Sequence, residues 1–124
     1  MKRYLALGTL VLACLLFFRL PADAQQCFNR TALDAHMAKN LQAKPISVVT
    51  DAPLFLAEFG RQLNGSPLTG TADTIVVYDS PHAKGKYLLV GFAKGCFTGE
   101  DGAISQELYG EVTKMMTARI RQQT

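Results

Sequence analysis

Residues 71–99 read TADTIVVYDSPHAKGKYLLVGFAKGCFTG, and this stretch decides the fold. Residues 74–78 (TIVVY) are β-branched and aromatic, a composition that suits a pleated surface. Residues 86–92 (KYLLVGF) form a second apolar run, and residues 79–85 (DSPHAKG) between them are rich in turn formers. The pattern predicts an antiparallel hairpin over about 71–97. Neither run alternates cleanly between apolar and polar, so the hairpin should be covered on both faces, or packed on one and half covered on the other. Gly91, inside the second run, marks a bulge or the close approach of another chain segment.

Working outward toward the N-terminus, Lys2 and Arg3 precede an almost unbroken apolar segment over residues 4–18, and Ala22 and Ala24 supply the small residues of a cleavage site. This is the layout of a secretory signal peptide of the bacterial export type, with cleavage expected after Ala24. The segment is short for a membrane span, which needs about 20 residues, so no stable membrane insertion is expected after cleavage. Acylation at Cys14 would leave Leu15, Leu16, Phe17 and Phe18 at the mature N-terminus, and the lipoprotein reading is set aside. The expected organisation is a leader over 1–24 and one domain over 25–124, in the periplasm or outside the cell.

The leader carries away Lys2, Arg3, Arg19 and Asp23, so of 13 basic and 10 acidic residues the mature chain keeps 10 and 9. The basic pI thus belongs largely to the leader, and no block of like charge argues for nucleic acid. Cys27 and Cys96 remain, and an even number of cysteines in an exported chain reads as a disulfide.

Flanking the hairpin, Thr31 followed by Asp34 suggests a capped helix over about 32–43 with Leu33, Met37 and Leu41 inward. His36 sits beside that stripe as a boundary histidine. Residues 46–49 (ISVV) form a candidate third strand. Asp51 caps a second helix with Pro53 in its first turn and Phe55, Leu56, Phe59 and Leu63 as its apolar stripe. That order predicts a right-handed βαβ crossover into the hairpin. Residues 98–102 (TGEDG) read as a loop. A last helix over about 105–119 places Leu108, Val112 and Met115 on one face. The fold expected is a single small α+β domain, three helices packed on a two- or three-stranded mixed sheet with one disulfide.

Chemistry is sparse. Asp79, Ser80 and His82 bring acid, hydroxyl and imidazole together in one loop, but nucleophilic catalysis needs geometry that adjacency does not supply, and Asp-Ser-Pro is first a turn sequence. His36 and His82 lack the ligand spacing of a metal motif. Glu100 and Asp101 lack the oxygen series of a calcium loop and read as a solvated acidic turn. No glycine pattern cradles a phosphate, so neither metal nor cofactor is expected. Lys84, Lys86, Tyr87 and Lys94 offer a candidate binding surface, although lysines also guard strand edges. The function expected is a small exported non-catalytic binding or accessory protein, with a protein or small-molecule partner in the cell envelope. A hydrolase-like enzyme using Asp79, Ser80 and His82 is the alternative, and a redox role for Cys27 and Cys96 is the third.

Overall fold

The computed structural model of the chain describes residues 27–123, so the expected leader and cleavage site lie outside the described residues. Its elements run α1 (Arg30–Leu41), β1 (Lys44–Val49), α2 (Ala52–Asn64), β2 (Thr74–Asp79), β3 (Lys86–Ala93), β4 (Cys96–Ser105) and α3 (Gln106–Gln123). The four strands form one sheet in the order β1-β2-β3-β4, with every neighbouring pair antiparallel.

The doubly apolar hairpin is covered on both faces. Ile75 and Val77 of β2 and Leu89 of β3 pack with Phe55 and Phe59 of α2 and with Val112 and Met116 of α3. Val76, Tyr78, Leu88, Val90 and Phe92 point the other way and meet Leu33 and Met37 of α1. Period-2 alternation in the strands therefore feeds two cores separated by the sheet.

Three expectations are corrected. The connection from β1 to β2 is not a parallel crossover, because Val49 pairs with Ile75 and Val48 with Val76 in antiparallel register. Helix α2 leads away from the end of β1 and residues 65–73 bring the chain back, so β2 starts where β1 stopped. The Ala52 N–H donates to the Asp73 carbonyl at 3.2 Å and closes that return. Second, residues 98–102 are not a loop: they lie within β4, a ten-residue strand, so the sheet has four strands. Third, β2 and β3 are interior strands, so Lys86, which opens β3, guards no edge.

Local signals fare unevenly. Asn29, not Thr31, caps α1, its Oδ1 accepting from the Ala32 N–H at 2.9 Å. Asp34 instead accepts from Arg30 Nε at 3.1 Å and from the buried hydroxyl of Tyr78, tying α1 to the sheet. Burial, and then the hydrogen bond and charge of Asp34, push the Tyr78 phenol above its ordinary range. Asp51 caps α2 as expected, and Gly91 sits at a register irregularity between Val90 and Phe92. On α2, Leu63 is 51 % exposed while Glu58 is buried at 2 %, the reverse of what residue types suggest. On α3 it is Met116, not Met115, that joins the buried core with Val112.

Cys27 and Cys96 form the expected disulfide, with sulfurs 2.13 Å apart and Cα atoms 5.0 Å apart. It fastens the N-terminal segment to the start of β4, where the Phe97 N–H donates to the Phe28 carbonyl at 2.9 Å. Among the described residues, no helix is long and apolar enough to cross a membrane.

Candidate functional site

The loop that carried the catalytic candidates is a folded turn. Ser80 is buried at 3 % exposure, and its hydroxyl donates to the Leu41 carbonyl at the end of α1 at 2.6 Å. The same oxygen accepts from the His82 backbone N–H at 3.1 Å. Both hydrogen bonds serve to close the turn and to satisfy a helix-terminal carbonyl. A serine nucleophile needs a general base on its hydroxyl, and here that proton points at a carbonyl. Asp79 ends β2, paired with Lys44, and His82 is exposed.

The lysine set does not make one surface either. Lys84 and Lys86 lie at the β2–β3 turn, whereas Lys94 lies in the β3–β4 turn. The full length of β3 separates them, roughly 25 Å at the usual rise of a strand. Tyr87 is half-buried and packs edge-on against Tyr109 of α3, ring centres 5.2 Å apart. His36 lies edge-on to Phe28 with ring centres at 6.3 Å. Burial, and then the charge of Lys39, hold its imidazole below the ordinary histidine value. Among the described residues, no three histidine, cysteine or acidic side chains gather as a metal site would require.

What the fold does build is a cavity of about 240 Å³ on the α2 side of the sheet. Leu56 and Phe59 of α2, Leu68 and Ala72 of the returning loop, and Ile75 and Leu89 of the sheet form its apolar walls. Gly70, Gly91, Gly99 and Gly102 also line it, and Thr69, Glu100 and Asp101 complete the lining. The space arises because residues 65–73 leave α2 and cross back over the sheet without filling the ground between them. Two glycines set how close that loop comes. A Cβ on Gly60 would stand 2.4 Å from both the Leu68 nitrogen and the Ser66 carbonyl oxygen. A Cβ on Gly91 would meet the Ala72 Cβ at 3.0 Å and the Thr98 hydroxyl at 3.1 Å.

Glu100 latches the loop. Its Oε2 accepts from the Thr71 N–H at 2.9 Å and from the Thr71 hydroxyl at 3.2 Å, while Oε1 accepts from the Ala72 N–H at 3.2 Å. Gly99, at φ +90°, turns β4 so that Glu100 faces the loop, a conformation that glycine adopts without the strain of a side chain. The Thr98 hydroxyl braces the turn, donating to the Gly91 carbonyl and accepting from the Glu100 N–H. At the other end of the loop, Asp73 Oδ2 accepts from the Lys94 N–H at 2.8 Å and Oδ1 from the Thr74 hydroxyl. The Lys94 N–H first, then the Thr74 hydroxyl, hold the Asp73 carboxyl below its ordinary range. Asp101, opposite Val90 in the register, directs its side chain to the α1 face, so the cavity meets its main chain.

Of these cavity residues the sequence offered only Glu100 and Asp101 for a site, as a calcium loop that their pattern does not fit. They belong to a strand, with Asp101 buried, instead of to a solvated turn. Leu56 and Phe59 were legible as a helix stripe, but the free space beside them is a property of a loop path. No protein-family model matches the chain, and neither a curated protein nor a solved structure does.

Proposed function

We propose that this is a small exported, non-catalytic binding protein that takes a small molecule in the cavity between α2, the returning loop and the sheet. One observation carries the reading: an apolar space of about 240 Å³ whose covering loop is held by three hydrogen bonds to a single carboxylate, Glu100. Pre-formed apolar concavities with few placed polar groups are the usual form of small-molecule sites. The volume falls below the range of drug-sized pockets, about 300–1,000 Å³, so the ligand is small. Export rests on the leader-like first 24 residues together with the Cys27–Cys96 disulfide, which suits an oxidising compartment. The turn geometry of Ser80 lends no support to the hydrolase alternative.

Benzene is a suitable probe, because a dry apolar cavity of about 150 Å³ already accommodates it. Titrated into the protein, benzene should move the amide NMR resonances of Leu56, Leu68, Gly70, Leu89 and Gly102 saturably. Leu56→Phe, which fills the space from α2, should abolish those shifts while the protein stays folded. Shifts that never saturate, or that survive Leu56→Phe unchanged, would overturn the reading.

A further inference from the structure

The cavity has one polar end, and its chemistry selects among apolar ligands. Among the described residues of the lining, Glu100 alone has a charged side chain on the α2 side of the sheet. A carboxylate offers about four acceptor positions. Two on Oε2 are taken by Thr71 and one on Oε1 by Ala72, which leaves Oε1 able to accept one more hydrogen bond. The carboxylate lies against Gly70: a Cβ built there would stand 3.0 Å from Oε1 and 3.1 Å from Oε2 of Glu100, and 3.0 Å from Cδ1 of Leu56. The Glu100 carboxylate and the apolar wall therefore meet at Gly70, in a contact too tight for a Cβ. Among the described residues, no cationic side chain lines the cavity to receive an anion.

We propose that the ligand is a small amphiphile whose apolar body lies against Leu56, Phe59, Leu68, Ile75 and Leu89 and whose single hydroxyl or ammonium donates to Oε1 of Glu100. The inference rests on the binding role proposed above and names its ligand class. Scaling from the benzene-sized cavity, the space takes about ten non-hydrogen atoms. An anionic headgroup at the same end meets the Glu100 charge in a partly desolvated setting, where like charges repel more strongly than in water. The site thus accepts medium-chain alcohols and amines and refuses the corresponding carboxylates. Gly70 is the specificity position, since a Cβ there must push aside the Glu100 carboxylate or Leu56.

The test is a titration of the protein at neutral pH with 1-octanol, octylamine and sodium octanoate, each below its aggregation threshold, with benzene as the reference probe. Amide NMR gives each dissociation constant. Octanol and octylamine should bind at the cavity residues with octanoate at least tenfold weaker, and Gly70→Ala should erase the preference for the donor-bearing probes while benzene still binds. Equal affinity for all three, or tightest binding of octanoate, with benzene binding intact, would overturn this inference and leave the binding role standing. Loss of every probe, benzene included, would remove both. Probes that bind equally to Leu56→Phe would place them outside the cavity and likewise overturn it.

Discussion

Glu58 carries a charge where the surrounding residues are apolar, and its neighbours explain why it stays ionised. Arg119 of α3 donates to it at 2.6 Å, and Arg61 and Gln62 of its own helix each at 3.3 Å. Burial pushes the carboxyl upward, but the hydrogen bonds from Arg119 and Gln62 and the charges of Arg119 and Arg61 outweigh it and hold it below the usual glutamate range. A folded value below the unfolded one means stability that is fully present above the unfolded value, about 4.3, and lost as pH falls through the folded one. Thermal melts between pH 6 and pH 3 should therefore show a decline that flattens in Glu58→Gln. Arg119→Ala leaves a buried carboxylate with only its helix neighbours. Because Arg119 is itself 39 % exposed, the cost should be about 2 kcal/mol, less than for a fully buried pair. An unchanged denaturation midpoint in Arg119→Ala would mean that the knot between α2 and α3 contributes nothing.

At the scale of elements, the returning loop is the part whose path depends on single atoms. It runs against α2 at Gly60, where even one methyl would collide with main-chain atoms of Leu68 and Ser66. Backbone cannot rotate aside as a side chain can, so Gly60→Ala should cost about 3 kcal/mol, at the upper end of overpacking penalties. It should also shift the Leu68 and Gly70 resonances, because the loop must lift off the helix. A midpoint within error of the wild type would show that the loop accommodates the methyl. The same loop explains why β1 and β2 run antiparallel although a helix joins them. Nine residues after α2 are enough to return the chain to the end it left, so no crossover to a parallel strand is required. The edge strand β1 carries Lys44, Pro45 and a register irregularity between Pro45 and Ser47, all of which discourage further pairing.

For the whole molecule, the disulfide joins residues 69 apart and closes most of the described chain into one ring. The chain-entropy account assigns such a loop about 4 kcal/mol, a large share of the 5–15 kcal/mol that stabilises a small domain. Cys96→Ser should lower the melting temperature under oxidising conditions by on the order of 15 °C and have little effect when the wild type is reduced. An equal drop under both conditions would assign the loss to packing around the sulfur. The helices, the central hairpin, the caps at Asp51 and the cysteine pair were all legible in the sequence, because each depends on neighbours within a few residues or on simple pairing arithmetic. The fourth strand was not: residues 98–102 contain two glycines and two acids and have no apolar run. They are strand only because β3 offers them a ladder.

What the amino-acid sequence determined by itself is therefore the unbroken apolar runs that load both faces of the hairpin, the helical stripes that pack on it and the sulfur pair that could be bridged. Tertiary structure alone decided that Glu58 is inside and Leu63 outside, that Ser80 closes a turn, and that Glu100 reaches across 29 positions to hold a loop over an apolar cavity. The physical reason is that periodicity encodes which way a side chain points from its own backbone. A cavity and its latch instead depend on where a distant segment passes, which no local pattern records.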